Sequence, residues 1–304
     1  MTQASGEWLP YGARMSANHA EIEVPDTIVL IHGLWMTPRS WEAWADRYES
    51  RGYTVLAPAW PGLDVEVEAL NRDPTPLTKL DVKTVVEHYE GIIRGLDAPP
   101  IIRGHSLGGT LVQLLLARGL GAAAVGVAPA TVKGVLDLPL STLRSSRPVL
   151  GNPFNRGNAT GLSAKQFHYA FGNTVSREES DAIYQRYHVP AANRVLFEIA
   201  FANLSRNAPT AVDFANDARP PMLFIAFEKD HVVPPKPIRH NVEKYSRSKA
   251  ITAYKEFPGR PHFPGAPGWE EVADYALAWA LDPTEEEIDG RIHLAGVRRT
   301  AEHA

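Results

Sequence analysis

The chain has 304 residues, 44% of them hydrophobic and 22% charged, with a formal net charge of −4 at neutral pH. This length suits one large α/β domain with an insertion or two modest domains, and the balance of charge leaves no electrostatic footprint for nucleic acid. The absence of cysteine excludes disulfides, thiolate catalysis and Cys-based metal sites, and it accords with a reducing compartment.

Met1 to Tyr11 lacks a basic stretch followed by an apolar one, so no signal peptide is expected. The most apolar window, Leu111 to Ala130, is interrupted by Gln113, Arg118 and several glycines, and reads as a helix followed by a strand rather than a membrane span. The expectation is a soluble cytoplasmic protein with no membrane or nucleic-acid partner, no metal and no cofactor.

Short apolar runs alternate with helical patterns through the first 130 residues, as βαβ units of a parallel sheet require. Thr27 to Ile31 is a predicted strand, and His32-Gly33-Leu34-Trp35 a turn. Thr37 is placed to cap a helix that opens on Pro38 and runs through Trp41, Trp44 and Tyr48 to Gly52. Tyr53 to Ala57 is the next strand, Pro58 to Gly62 a turn, and Asp64 to Pro76 reads as irregular. The apolar face of Leu80, Val82, Val85, Val86, Tyr89, Ile92 and Ile93 predicts a helix. Ile101 and Ile102 begin another strand, and Ala122 to Val127 is a buried one.

The alternation stops there. Residues 131–214 read as an inserted helical cap between core segments 1–130 and 215–304. Its start, Pro139 to Asn158, is loop-like in composition. Ser163 with Gln166, and Ser176 with Glu179, have the spacing of capping boxes. Val195, Leu196, Ile199 and Leu204 mark a further helix. Strand patterning resumes at Met222 to Phe227 and Ile251 to Phe257. A helix from Trp269 to Ala280 follows, and then a tail with little apolar periodicity, expected to be loosely held.

Gly104-His105-Ser106-Leu107-Gly108-Gly109 lies between the Ile101 strand and the helical run Thr110 to Leu116. At ordinary glycine usage a bare G-x-S-x-G occurs by chance in roughly one chain in ten of this length, so the flanking elements carry the signal. A sharp strand-to-helix turn lifts a serine oxygen above the sheet edge and aims helix-start amides at any anion formed there. Ser106 is therefore the candidate nucleophile.

Acyl-transfer chemistry on serine also needs a base, a group that orients the base, and donors for the oxyanion. Asp230 follows the run Leu223 to Phe227 and is the candidate orienter, with Asp137 as its rival and Glu228 a weaker one. His262 follows the last strand and is the candidate base among eleven histidines. His188 and His168 fall in the insertion, while His105 and His231 adjoin catalytic candidates and are read as supporting them. The backbone N–H groups of Leu34 and Leu107 are the candidate oxyanion donors.

Together, His32-Gly33-Leu34-Trp35, the Gly104 to Gly109 motif, Lys229-Asp230 with Val233-Pro234, and the late His262 resemble the α/β-hydrolase superfamily over roughly residues 25 to 280. The resemblance implies an α/β-hydrolase fold, with a mostly parallel central sheet, helices on both faces and a helical cap. Two departures stand out: Pro261 precedes the last histidine where relatives often carry a small residue, and the stretch before Thr27 is short and polar for two leading strands. A six-stranded sheet is the expectation. Relatives that open epoxides or remove halides carry an aspartate at the position of Ser106, so those reactions are disfavoured.

The insertion is rich in aromatic residues, among them Phe167 and Phe171. With Trp35 and Trp60, these are candidates to line an apolar substrate pocket. The sequence reading is a serine hydrolase of small or medium apolar esters, lactones or thioesters. Acyl transfer, perhydrolysis or carbon–carbon hydrolysis by the same triad, and a non-catalytic binding module on the same scaffold, are the alternatives.

Overall fold

Six apolar runs pair side by side, all parallel, into one sheet of the computed structural model, which describes residues 25–284. The strands are β1 (Thr27–Ile31), β2 (Thr54–Leu56), β3 (Ile101–His105), β4 (Ala123–Val127), β5 (Met222–Phe227) and β6 (Thr252–Phe257), in the order β2-β1-β3-β4-β5-β6. This is the α/β-hydrolase sheet expected from the sequence. The expectations for a signal peptide, for leading strands before Thr27 and for the tail beyond residue 284 fall on segments outside the described residues.

Side chains alternate across the sheet and feed two cores. Ile28, Leu30, Val125, Leu223 and Ile225 face one way, onto α1 (Glu42–Glu49) and α10 (Trp269–Leu281). There Trp41, Trp44 and Tyr48 are fully buried, and burying each such ring contributes on the order of 2–3 kcal/mol. Val29, Ile31, Ile102, Phe224 and Ala226 face the other way, onto α3 (Val82–Arg94), α4 (Leu107–Leu116) and α9 (Pro235–Lys244). The period of two in the strands and the spacing of 3–4 in the helices thus satisfy each other on both faces.

Helix starts follow local chemistry. The Thr37 side chain accepts from the Arg39 amide ahead of a short 3-10 turn that leads into α1, and Asp81 caps α3 through the Thr84 amide. Two loop readings are corrected. Asp64 to Pro76 contains α2 (Val67–Arg72), a six-residue helix kept by burial of Val67 and Leu70. Pro139 to Asn158 contains α5 (Leu140–Leu150), with Pro148 in its last turn. Tertiary anchoring of Ser145 and Val149 outweighs a composition that reads as loop.

Between β4 and β5 lie α5, α6 (Ala164–Phe171), α7 (Arg177–Tyr187) and α8 (Asn193–Ala200), plus a two-residue antiparallel pairing of Ala159–Thr160 with Ala191–Ala192. Both capping boxes are present, with Ser163 and Gln166 opening α6 and Ser176 and Glu179 opening α7. Among the described residues no helix is long and apolar enough to cross a membrane.

Candidate active site

Because every main strand runs the same way, the loops after β1, β3, β5 and β6 open at one edge of the sheet. They carry Leu34, Ser106, Asp230 and His262 respectively.

Ser106 sits at φ 54°, ψ −118°, a strained conformation for a side-chain-bearing residue. Three backbone hydrogen bonds hold it there. Its amide donates to the Val127 carbonyl at 3.0 Å, and its carbonyl accepts from Gly109 at 2.9 Å and Ala130 at 2.8 Å. The turn also brings Gly104 against the main chain of Gly108, so closely that a Cβ on Gly104 would overlap that carbonyl. The start of α4 can pack on β3 only with glycine there.

On the facing loop, Gly33 lies so near that a Cβ on it would come within 2.9 Å of both the Ser106 Cβ and the His105 carbonyl oxygen. The turn bearing Leu34 is thereby pressed against the serine. Leu107 is the first residue of α4, so no helical carbonyl lies within reach of its amide.

Asp230 and His262 are buried and bonded to each other, His262 Nδ1–H donating to Asp230 Oδ2 at 2.5 Å. The second Asp230 oxygen accepts the amides of Val232 at 2.6 Å and Val233 at 2.8 Å. The carboxylate is thus fixed from both sides. Nε2 of His262 is buried without a hydrogen-bond partner, and no hydrogen bond joins it to the Ser106 hydroxyl. Pro261 does not prevent the pairing. The loop is stitched to its neighbour by Lys229 N–H to the Arg260 carbonyl and by Gly259 N–H to the Glu228 carboxylate.

Neither rival carboxylate reaches His262. Asp137 pairs with His240 and Lys236, and Glu228 binds Lys229 and Gly259.

Three other buried histidines are bonded to the backbone. His32 donates Nδ1–H to the Gly33 carbonyl at 3.0 Å, and burial lowers its pKa to about 4. His105 donates Nε2–H to the His262 carbonyl at 2.9 Å, and burial, reinforced by the neighbouring His262, pushes its pKa well down. His188 accepts the Leu162 amide at 2.9 Å, and burial lowers its pKa to about 4.

Three of the four candidate substrate-binding aromatics form one row. Phe171 lies edge-on to His262 at 4.9 Å, stacks on Phe167 at 4.9 Å, and meets Trp35 edge-on at 6.1 Å. Trp60 stands apart from that row. It is buried and stacks on His32 at 4.9 Å, behind the Gly33 turn.

A model of the Alpha/beta hydrolase family matches residues 28–275. The chain belongs to the alpha/beta hydrolase family. Solved structures with the same fold include a monoacylglycerol lipase from Paleococcus ferrophilus, 20% identical, covering 85% of this chain and 95% of that one with a TM-score of 0.57. An extracellular alpha/beta-hydrolase from a Paenibacillus species is 18% identical, covering 84% and 99% with a TM-score of 0.60. A pyrethroid hydrolase from Sphingobium faniae JZ-2 is also 18% identical, covering 84% and 98% with a TM-score of 0.55. No curated protein sequence matches the chain.

This alpha/beta hydrolase also has ties that sequence reading missed. The Phe263 amide donates to the Phe171 carbonyl at 3.1 Å, fastening α6 beside His262. Trp35, at φ 63°, donates its indole N–H to the Thr160 carbonyl and accepts the Val189 amide, so the Leu34 turn is also bound to the segment between β4 and β5. No local pattern announces such contacts, because each joins segments more than ninety residues apart.

Proposed function

We propose that this protein hydrolyses carboxylic esters, or related lactones and thioesters, through an acyl-enzyme on Ser106. The observation that carries the reading is the serine's strained seat on the β3–α4 turn, at the sheet edge that also holds the buried His262–Asp230 pair. The likeness to the monoacylglycerol lipase and the pyrethroid hydrolase supports the same reading.

In this mechanism Ser106 Oγ bonds to the substrate carbonyl carbon while His262 Nε2 takes the hydroxyl proton. The N–H groups of Leu34 and Leu107 receive the oxyanion, and in other enzymes one such donor is worth about 3–4 kcal/mol. His262 then passes its proton to the leaving alcohol as the carbon–oxygen bond breaks. Water repeats the attack on the acyl-enzyme through the same base, releasing the acid and returning a proton to Ser106. Asp230 holds the imidazole in the tautomer that leaves Nε2 bare.

Trp35, Phe167 and Phe171 would face an apolar acyl or alcohol group, with residues 131–214 acting as a cap. Trp60 would support the oxyanion turn through His32 rather than touch substrate.

A fluorophosphonate probe tests the reading. Stoichiometric labelling of Ser106, abolished in Ser106→Ala, with turnover of neutral apolar esters, is the expected result. No labelling and no turnover across an ester, lactone and thioester panel would overturn it. A clear preference for anionic esters would overturn the pocket assignment alone.

A further inference from the structure

Seven of the nine exposed large hydrophobic side chains among the described residues lie in the insertion. Leu136 is 77% exposed, Leu140 84%, Phe154 91% and Leu204 83%, with Leu138 and Leu143 also open. They are neighbours in space. α5 packs against α8 and against the turn Pro153–Gly157 that carries Phe154. Asn203, next to Leu204, bonds the amide of Gly134 and the carbonyl of Val135 at 2.7 Å each, beside Leu136.

Scattered exposed leucines are ordinary on a soluble surface, but a concentration of them on one segment calls for an occupant. Charge indicates which one. Residues 133–169 hold Lys133, Arg144, Arg147, Arg156 and Lys165 against the single acid Asp137, a local balance of +4 in a chain of −4. Asp137 is itself engaged by His240 and Lys236.

On α5, Leu140, Leu143, Arg144 and Arg147 are all exposed and follow the spacing of one helical face, opposite buried Ser145 and Val149. Arg144 lies over the Tyr169 ring, 3.8 Å from its centroid, and Arg156 reaches Glu198 only at 3.7 Å. A second copy docking face to face would set arginines against arginines, as a two-fold interface brings the same patch to both sides. An anionic surface with an apolar interior meets both the leucines and the cations.

We propose that the α5 face of the insertion docks on anionic lipid surfaces, Leu140, Leu143 and Phe154 entering the acyl boundary while Arg147 and its neighbours meet headgroup phosphates. This departs from the sequence expectation of no membrane partner and is independent of the catalytic reading. The protein binds peripherally, since no helix among the described residues is long and apolar enough to cross.

The experiment is co-sedimentation of the full-length protein with vesicles of phosphatidylcholine alone and of phosphatidylcholine with phosphatidylglycerol, at low and high salt. Binding to the anionic vesicles, weakened by salt, is expected. Arg147→Gln should weaken it about fivefold, and Leu140→Ser with Phe154→Ser at least about tenfold. Circular dichroism and turnover of a water-soluble ester should stay unchanged, because these side chains already face water. No binding to anionic vesicles, or equal binding by the double variant, would overturn the proposal. So would a concentration-dependent dimer that the double variant abolishes, which would assign the face to a second copy.

Discussion

The ring of His105 donates its Nε2 proton to the main-chain carbonyl of His262, 2.9 Å away across 157 residues of sequence. The two rings lie 4.6 Å apart, and His105 Nδ1 is buried with no partner. The residue preceding the candidate nucleophile therefore fixes the loop that carries the candidate base. His105→Phe keeps a ring but removes the donor, and should lower kcat about 10- to 100-fold with little change in KM, as misplacement by about an ångström does. His105→Gln can still donate and should recover part of the loss. Steady-state kinetics on a simple ester decide it, and an unchanged kcat in His105→Phe would refute the positioning role.

Ser106 holds its geometry against backbone strain of about 1–3 kcal/mol. Glycine accepts the same angles at an entropic cost of about 0.5–1 kcal/mol. Ser106→Gly should thus melt about 2–4 °C above Ser106→Ala, both variants being inactive. Equal melting temperatures would show that the turn stores no strain.

Asp230→Asn leaves an oxygen for the Val232 and Val233 amides but turns a donor toward His262 Nδ1. The fold should persist while kcat drops steeply; in a serine protease the matching change lowers it about 10⁴-fold. If Asp230→Asn retains full activity and Asp137→Asn does not, the orienting carboxylate is Asp137.

Acid should destabilise the fold near pH 5. His32 and His188 titrate at about 4 in the folded protein, against 6.5 when unfolded, because burial disfavours the charged ring. The unfolded chain therefore takes up protons first. Stability is whole above 6.5 and is lost as pH falls toward 4, by about 2 kcal/mol per histidine near pH 5. Burial of His105 acts in the same direction. Urea midpoints measured at neutral pH and near pH 5 should differ accordingly, and superimposable curves would contradict the burial of these rings in solution.

Arg103 lies wholly buried in β3, its guanidinium over the Tyr48 ring at 4.3 Å and bonded to the Tyr48 hydroxyl. Burial lowers its pKa to about 9, and Nε and Nη2 have no partner. Taking a charge out of water is costly, and even buried ion pairs are often replaced by apolar side chains of similar volume with a neutral or stabilising effect of up to about 4 kcal/mol. Arg103→Met should raise the unfolding midpoint, while a lower one would mean that the Tyr48 contacts outweigh desolvation.

Local patterns along the chain were enough to locate the six strands of the main sheet, the serine turn and both capping boxes. Each of these rests on short-range physics: alternation along a strand, side chains that satisfy orphaned amides, glycine where backbones touch. The same patterns left α2 and α5 as loops, since Val67, Leu70 and Val149 are helical only through what they pack against. It took the folded chain to establish that Asp230 rather than Asp137 meets His262, that Phe171 borders the imidazole while Trp60 backs His32, and that Leu140 and Leu143 of α5 face water. These are relations between segments remote in the chain, set by how the sheet edge gathers its loops, and no pattern within one segment encodes the distance to another.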